Sequence, residues 1–397
     1  MADVDKIEEL LTRGVANIIP SKNELKKELS QRKLNIYLGI DPTAPKIHLG
    51  HAVSLIKLQR FAELGHNVTL LIGDFTALVG DTSDKESERP VLTEKEIEEN
   101  FKTYKDQAKK ILDFSTIKIK RNSEWLSKLT YAQVFKLKQQ FSLNDFISRE
   151  LIKKRLAEGK HIRLDETEYP IMQGYDSYFM DTDLQIGGTD QTFNMQTGRI
   201  LQKKLRNKES FVLTTEFLMG TDGRKMSKSW GNAIWLNDKP SDMYGKIMSI
   251  KDDLILQYFT LATEIAHEEL EKIKNELSKN KNPMDIKKGL AFKIVKKLHN
   301  ENEALKAQEA FEKTVQKKEL PENILDVKMS IDQHLTASEI LVKTNLATSN
   351  SEAKRLVDQG AMSVNGEIIQ NPNQEIIPED NMVIKAGKRN FVKIKVS

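Results

Sequence analysis

Two short segments of the sequence carry residue types that suit a chain of phosphate groups. His48-Leu49-Gly50-His51 follows a strand-like run and opens a helical pattern, which would place imidazoles and backbone donors at a helix N-terminus. Anions are favoured at that position. Lys225-Met226-Ser227-Lys228-Ser229 adds two lysines and two hydroxyls in a polar loop, and a lysine ammonium is a mobile point charge. Separately, the two segments also fit a decorated helix start and a solvated loop; together they predict a phosphate-binding site.

Residues upstream and downstream of His48 extend this candidate site. Asp41-Pro42-Thr43-Ala44 forms a turn whose Thr43 hydroxyl could hydrogen-bond phosphoryl oxygens alongside His48. Gly50 has no Cβ, so a nucleotide could approach the backbone closely there. A further basic pair could reach the same phosphates, namely Lys85 and Arg89.

Two later segments could line a polar pocket. Tyr169, Gln173 and Asp176 are separated by four and three residues, which places them on one face of a helix. That pattern alone favours an ordinary exposed face over a pocket. Further on, a strand-like run ends in Gly187-Gly188-Thr189-Asp190-Gln191, where the glycines would admit a ligand and Asp190 could bind ribose hydroxyls.

The elements around these residues predict a parallel sheet. An apolar run at 34–40, a helix from Ala52 to Leu64 that ends at Gly65, and a buried strand from Val68 to Ile72 form a βαβ unit. Ligands of such sheets bind beyond the carboxyl ends of the strands, where Asp41 and the two histidines lie. Strand patterns return later in the chain, at 184–188 and 210–213.

Three domains are predicted along the chain. Residues 1–236 form a Rossmann-like catalytic domain with a helical connective insertion at about 115–180. Residues 237–330 are helix-rich and charged. Residues 335–397 combine a capped helix with short strands and an Asn365-Gly366 hairpin turn. The expected class is therefore α/β, followed by an α-helical domain and a small α+β domain.

Composition excludes several classes of site. The chain has 397 residues, no cysteine and seven histidines, so disulfides, thiolate catalysis and the usual zinc ligands are excluded, and no protein-bound metal is expected. The net charge of +4 is small for this length, so a nucleic-acid partner must be argued from local residues. No apolar run approaches the roughly 20 residues of a membrane span. With an acidic N-terminus that lacks a targeting pattern, we expect a cytoplasmic protein and no membrane partner.

Taken together, these segments resemble the tyrosyl-tRNA synthetases, a branch of the class I aminoacyl-tRNA synthetases. In the catalytic half the resemblance is carried by Tyr37–Ala44, His48–His51, Gln173–Asp176, Gly187–Gln191 and Lys225–Ser229. In the tail, Ser351–Ala361 resembles an S4 RNA-binding domain. The Lys-Met-Ser-Lys-Ser form is similar to the second of two bacterial subgroups.

The resemblance implies how a tyrosine would be held. Tyr37 and Asp176 would hydrogen-bond its phenol. Its ammonium group would be held by Asp81, Tyr169 and Gln173, and its carboxyl region would meet Gln191.

The resemblance also implies sites for ATP and tRNA. The catalytic side chains would be Thr43, His48, His51, Lys225, Lys228 and Ser229. The positions that bind ATP would be Gly39, Asp41, Gly50, Gly188, Asp190 and Lys228. In the S4-like domain, tRNA would contact Lys354, Arg355, Lys388 and Arg389.

The implied reaction joins L-tyrosine and ATP, with Mg²⁺, into tyrosyl-adenylate, and then passes tyrosine to the 3′-terminal ribose of tRNA(Tyr). A homodimer is implied around Phe141 to Ile147, where an intramolecular core would show the same apolar pattern. Two other functions stay open at this point. One is a tryptophan–tRNA ligase, and the other is an inactive synthetase-like RNA-binding protein.

Overall fold

The computed structural model describes residues 2–81, 92–228, 230–279, 281–313, 324–330, 334–387 and 390–396. The chain divides into two compact units, Met1–Ala304 and Leu305–Ser397. Within the described ranges, no helix is long and apolar enough to cross a membrane.

Six strands form the sheet of the first unit: β1 (Val15–Ile19), β2 (Asn35–Ile40), β3 (Asn67–Ile72), β4 (Ile117–Arg121), β5 (Leu184–Gly188) and β6 (Phe211–Thr215). Their order across the sheet is β1-β6-β5-β2-β3-β4, and all neighbours are parallel except β1 and β6. The strands expected at 34–40, 68–72, 184–188 and 210–213 are present, and the predicted α/β class with a parallel sheet is confirmed.

The helices before the end of the sheet are α1 (Ala2–Thr12), α2 (Lys22–Gln31), α3 (Leu49–Glu63), α4 (Glu94–Ala108), α5 (Ser123–Leu126), α6 (Tyr131–Lys138), α7 (Leu143–Ile147), α8 (Glu150–Ala157), α9 (Tyr169–Phe179) and α10 (Thr192–Arg206). After it come α11 (Pro240–Met248), α12 (Ile255–Ala262), α13 (His267–Ser278), α14 (Pro283–Leu298) and α15 (Glu301–Phe311).

The β2–α3–β3 unit is built from apolar runs because both faces of the sheet are covered. Ile36, Tyr37 and Leu38 are buried in β2, and α3 buries residues on most of its surface. Gly65 follows α3 with φ of +84°, in the left-handed region where glycine carries no steric cost. This unit brings the start of α3 to the carboxyl end of β2.

Arg13 fixes the helix that supports the lysine-bearing segment. Its guanidinium donates to four carbonyl oxygens at and beyond the C-terminal end of α12, which α12 itself cannot satisfy: Phe259, Thr260, Thr263 and Ile265. On α12, the hydroxyl of Tyr258 donates to the carbonyl of Met219 at 2.7 Å, and Gln257 Oε1 accepts from the Met219 amide at 3.2 Å. The segment that leads into Lys225 is therefore bound to α12 at Met219.

The structure differs from the sequence prediction at the start of the connective insertion. The interval 115–180 was expected to be helical, but Ile117–Arg121 forms β4, the edge strand next to β3. The reason is the short alternation of isoleucine with lysine, which suits a half-buried edge strand. The helices of the insertion begin only at Ser123.

After α15, the described part of the second unit combines a five-stranded and a two-stranded sheet with two helices. Its elements are β7 (Leu325–Met329), β8 (Leu335–Thr336), α16 (Ala337–Lys343), α17 (Asn350–Asp358), β9 (Met362–Val364), β10 (Glu367–Ile369), β11 (Glu375–Ile376), β12 (Val383–Ala386) and β13 (Asn390–Val396). Asn365 and Gly366 connect β9 to β10 with positive φ angles, as the predicted hairpin turn requires. β7 lies before the expected start at 335 because it pairs in parallel with β13.

Candidate active site

The segment that follows Lys225–Ser229, here called the lysine loop, meets the start of α3 through backbone hydrogen bonds. The Leu49 amide donates to the Ile234 carbonyl, and the Leu236 amide donates to the Ile47 carbonyl, each at 2.9 Å. His48 is thereby paired with Trp235 in an isolated antiparallel bridge. The segment that follows the lysine loop is thus attached to the N-terminus of α3.

Gly50 is required by its own neighbourhood. A Cβ at this position would lie 2.9 Å from the imidazole of His48 and 3.8 Å from the Cβ of Met226, which is buried in the lysine loop. A side chain at this position would displace the His48 ring from the start of α3, whereas its contact with Met226 would be an ordinary one.

The two imidazoles lie side by side at the helix start. The rings of His48 and His51 stack with centroids 3.8 Å apart, and His51 Nδ1 accepts weakly from the His48 amide at 3.4 Å. Burial lowers the pKa of His48 to about 2, and the neighbouring His51 and Lys225 act in the same direction. His48 Nδ1 is buried without a hydrogen-bond partner in the described part of the chain. A neutral imidazole with an unused nitrogen suits hydrogen bonding to a ligand rather than charge pairing.

The lysine loop lies next to Asp190, which follows the carboxyl end of β5. Lys225 Nζ lies 3.7 Å from Asp190 Oδ2 and 4.2 Å from the centroid of the Phe217 ring, while Lys228 is exposed. Gly188 lets Asp190 fold back, since a Cβ there would lie 2.6 Å from Asp190 Oδ1. The sequence-predicted residues Lys225, Asp190 and His48 therefore surround one space.

A buried acid lies on α9, next to Trp125 and Asn122. Asp176 on α9 accepts from Trp125 Nε1 at 2.7 Å and from Asn122 Nδ2 at 3.1 Å. Burial nevertheless raises the pKa of Asp176 to about 8, because these two donors offset desolvation only in part. Tyr169 and Asp176 are both buried, so the face that they share with Gln173 is not the exposed face that the spacing favoured.

Tyr37 lies close to this acid. Its hydroxyl donates to Gln185 Oε1 at 3.1 Å, and Gln185 in turn donates to the Met195 carbonyl at 2.8 Å. Burial, helped by the charge of Asp176, raises the pKa of Tyr37. Because the Tyr37 hydroxyl is the donor in this bond, its oxygen can still accept a hydrogen bond from a ligand.

A second polar network surrounds Asp41. The hydroxyl of Tyr169 donates to Asp41 Oδ2 at 2.8 Å, and that of Thr76 donates to Asp41 Oδ1 at 2.9 Å. Asp41, which we assigned to ATP, thus lies against Tyr169. Asn122 donates to Thr76 as well as to Asp176, so one buried amide links Asp176 to this network.

Asp81 and Gln191 join a third group. Gln191 Nε2 donates to Asp81 Oδ2 at 2.6 Å, and Asn194 Nδ2 reaches Asp81 Oδ1 at 3.4 Å and Gln191 Oε1 at 3.2 Å. Asn194 is fully buried, and its Oδ1 has no partner within the described ranges. A cationic ligand group could satisfy both Asp81 and this amide oxygen.

The remaining predicted positions divide by location. Gly39 and Thr43 flank Asp41, with the Thr43 amide donating to the Asp41 carbonyl at 2.8 Å. Lys354 and Arg355 are exposed on α17 in the second unit. Five predicted residues lie outside the described residues: Lys85, Arg89, Ser229, Lys388 and Arg389. In the part of the chain that the structure covers, no group of three His, Cys, Asp or Glu could hold a metal ion.

The sequence analysis missed several of these side chains. Asn122, Trp125, Gln185 and Asn194 are single polar residues in otherwise ordinary segments. The only local signal was Asn194, which follows Gln191 by three residues at the start of a helix. The others act across the fold, with separations that range from 46 residues for Asn122 and Thr76 to 148 residues for Gln185 and Tyr37.

Comparison with known proteins gives a consistent result. The family model "tRNA synthetases class I (W and Y)" matches residues 29–316, and the model "Tyrosine--tRNA ligase SYY-like C-terminal domain" matches residues 316–394. A Tyrosine--tRNA ligase of Thermotoga maritima is 42% identical over 97% of this chain and 96% of its own. The Tyrosine--tRNA ligase 2 of Vibrio parahaemolyticus is 42% identical over 100% of both chains.

Solved structures agree on the fold of the first part of the chain. The tyrosyl-tRNA synthetase of Archaeoglobus fulgidus, complexed with L-tyrosine, has a TM-score of 0.61 at 24% identity, covering 77% of this chain and 100% of that one. A C-terminally truncated mitochondrial tyrosyl-tRNA synthetase of Aspergillus nidulans has a TM-score of 0.65 at 23% identity, covering 77% of this chain and 92% of its own.

The buried acid gives a pH-dependent test. An acid whose pKa is raised on folding binds its proton more tightly when folded, so its contribution to stability is lost as pH rises from about 4 towards about 8. Asparagine does not titrate. The stability deficit of Asp176→Asn relative to the unsubstituted protein should therefore shrink between about pH 5 and about pH 8.5 in thermal unfolding without ligands.

Asp183→Asn provides the matched control. Asp183 is also buried, but Arg32, Asn35 and Lys208 keep its pKa below its usual value, against the cost of burial. Its titration lies below this pH range, so the deficit of Asp183→Asn should stay constant there. A constant deficit for Asp176→Asn as well would contradict a raised pKa at Asp176.

Proposed function

This chain belongs to the class I tRNA synthetases of the tryptophan and tyrosine group, and we propose from that premise that it is a tyrosine–tRNA ligase. It activates L-tyrosine with ATP to tyrosyl-adenylate and pyrophosphate, and then transfers tyrosine to the 3′-terminal ribose of tRNA(Tyr). Two structural observations support this: Asp176 and Tyr37 are buried close to each other, and a backbone bridge joins His48 to the segment that follows the lysine loop. Relatives that are about 40% identical over nearly the full length are named Tyrosine--tRNA ligase, which supports the proposal.

Activation needs positioning more than proton transfer. The carboxylate of an amino acid is already ionised at neutral pH, so its attack on the α-phosphorus requires no general base. Neutral His48 and Thr43 donate hydrogen bonds to the phosphates, and Lys225 and Lys228 neutralise the charge that accumulates on departing pyrophosphate. Mg²⁺ would travel on the ATP phosphates, which is its usual mode of binding in such sites.

The tyrosine lies between two polar networks. Its phenol hydroxyl meets Tyr37 and Asp176, and its ammonium group meets Tyr169, Gln173 and Asp81. Gln191 contacts the carboxyl region. Tyrosyl-tRNA synthetases as a class reject phenylalanine by about 10⁵-fold without editing, since an absent hydroxyl leaves buried polar groups unpaired. Tryptophan offers no phenol to the same groups, and this favours tyrosine over the tryptophan enzyme.

The nucleotide occupies the other side of the lysine loop. Asp190 binds the ribose hydroxyls, and Gly39, Gly50 and Gly188 allow the nucleotide to approach the backbone. Asp41 supports this end through Tyr169. We also propose a cytoplasmic location, because tRNA is charged there for translation.

The first test is tyrosine-dependent exchange of pyrophosphate into ATP. The purified protein should catalyse exchange with tyrosine and not with tryptophan. His48→Ala and Lys228→Ala should each lower the exchange rate on the order of 10²-fold, because each removes a group aimed at the transition state. Tyrosine affinity, measured by equilibrium dialysis, should change little.

Lys239→Ala removes a neighbouring exposed lysine outside the site and serves as the control. It should leave the exchange rate unchanged. No exchange by folded, unsubstituted protein would refute the proposed function, and parallel losses of tyrosine affinity in both site variants would refute the assigned roles.

We also propose a homodimer formed through the connective insertion. Large apolar side chains are exposed within residues 131–164, where water would otherwise cover them: Tyr131 at 72%, Phe135 at 49%, Leu143 at 64% and Leu164 at 78%. Exposed apolar side chains concentrated in this way mark an association surface.

Leu143→Glu should weaken this dimer, because a charge would be buried at the interface without a partner. Sedimentation should show the unsubstituted protein as a dimer and the variant shifted towards monomer at equal concentration. Leu325→Glu, at an equally exposed leucine of the second unit, is the control and should stay dimeric. A monomeric unsubstituted protein would overturn the proposal.

The second unit is proposed to hold tRNA. Lys354 and Arg355 project from α17 into solvent, and the other predicted basic pair, Lys388 and Arg389, lies outside the described residues. The helical stretch 237–330 would face the anticodon side, and 335–397 would act as the S4-like domain.

Replacing Lys354 and Arg355 with alanine should reduce kcat/KM for tRNA while pyrophosphate exchange is unchanged. The slope of log affinity for tRNA against log salt should become shallower by about 2, as expected when two phosphate contacts are lost. Lys27→Ala/Lys33→Ala removes two exposed lysines of the first unit as a control. An unchanged salt slope in the α17 variant would remove these residues from the tRNA contact.

A further inference from the structure

Asn232 lies at the base of the lysine loop and is 3% exposed, although it belongs to a loop segment. Sequence analysis gave it no role, and it contributes no atom to the proposed contacts with tyrosine or ATP. A buried polar side chain in a loop is costly unless its hydrogen bonds are made.

The Asn232 amide makes those bonds to the loop that carries the two lysines. Its Oδ1 accepts from the Ser227 amide at 2.9 Å, and its Nδ2 donates to the Lys225 carbonyl at 3.2 Å. The same nitrogen donates to Asp222 Oδ1 at 2.8 Å. The backbone carbonyl of Asn232 accepts from Thr221 at 3.1 Å.

The segment that leads into the lysine loop, residues 219–225, packs against the Asn232 side chain. The Gly220 amide donates to the Arg224 carbonyl at 2.7 Å, and Met219 pairs with Lys225 in an antiparallel bridge. A Cβ on Gly220 would lie 2.4 Å from the Asn232 amide group. The backbone of the loop therefore packs directly on the Asn232 side chain.

The segment that follows Asn232 connects its side chain to the start of α3. Only Ala233 separates Asn232 from Ile234, whose carbonyl accepts from the Leu49 amide at the start of α3. The two loop atoms bound by the Asn232 side chain are the Lys225 carbonyl and the amide of Ser227, the residue before Lys228. The Asn232 side chain thus connects the backbone that carries both lysines to the start of α3, where His48 lies.

We propose that Asn232 is a positioning residue of the adenylation step: it fixes the backbone from which Lys225 and Lys228 reach the departing pyrophosphate. The proposal rests on the proposed function. Asn232 touches no reacting atom; it acts through the two lysines. Because their charges matter most in the transition state, loss of the amide should lower the rate of adenylate formation and spare tyrosine binding.

Three variants test this. Asn232→Ala removes the side-chain hydrogen bonds to Ser227, Lys225 and Asp222. It should lower kcat for tyrosine-dependent pyrophosphate exchange by about 10- to 100-fold. Asn232→Asp should lower it further, because a carboxylate would face Asp222 and no longer donate to the Lys225 carbonyl. Adding Asp222→Asn to Asn232→Asp removes the repulsion, lets residue 222 donate in the opposite direction, and should restore kcat at least to the level of Asn232→Ala.

Asn237→Asp is the matched control, because Asn237 is an exposed asparagine five residues downstream, outside the site. It should retain full exchange activity. In all variants, tyrosine affinity by equilibrium dialysis should stay within about twofold of the unsubstituted protein, which also shows that the catalytic unit is folded.

The outcomes separate the possibilities. Parallel losses of tyrosine affinity and exchange rate would mean that Asn232 supports the fold in general and would overturn the proposal. Unchanged exchange in Asn232→Ala, or no recovery in the double variant, would overturn it as well. Absence of exchange in the unsubstituted protein would instead refute the tyrosine–tRNA ligase function itself.

Discussion

The catalytic arrangement depends on the backbone bridge that joins residues 47–49 to residues 234–236. Its two hydrogen bonds bring together segments that are almost 190 residues apart, and closing so long a loop costs conformational entropy. The cost is offset by burial, since Ile47, Leu49, Ile234 and Leu236 are each at most 2% exposed. Because these side chains are buried in the core, the register of the bridge is fixed, and α3 and the lysine loop share one rigid base.

On that base, the proposed phosphate contacts are divided between a fixed neutral group and two mobile cations. Burial keeps the fixed His48 neutral, so in the proposed function it contributes directed hydrogen bonds without a permanent charge. The positive charge is carried by Lys225 and Lys228 on flexible stems, with Lys225 close to Asp190. A fixed cation would bind ATP and the transition state about equally, and this would not accelerate the reaction. A mobile ammonium can follow pyrophosphate as it leaves.

The parts of this site that sequence predicted are those whose signal is local. The βαβ unit follows from apolar runs and Gly65, and the spacing of Tyr169 and Asp176 places them on one face of α9, although that spacing alone favoured an exposed face. The parts that it missed arise from contacts between distant segments. Asn122 acquires its role only when β4 pairs with β3, and β4 lies in a charged neighbourhood that read as helix. Asn232 has no local pattern at all, because its function lies in folding the loop back onto itself.

The incomplete satisfaction of Asp176 explains how the proposed tyrosine site can select its ligand. Trp125 and Asn122 donate one hydrogen bond to each carboxyl oxygen of Asp176, yet burial still raises the pKa of the acid, so its ionised form is unfavourable in the fold. In the proposed function, the phenol hydroxyl of tyrosine pairs with this buried acid. Phenylalanine has no hydroxyl and would exclude water from the acid, so its complex would leave buried polar groups unpaired. Selectivity against phenylalanine then comes from these unpaired groups and not from steric exclusion.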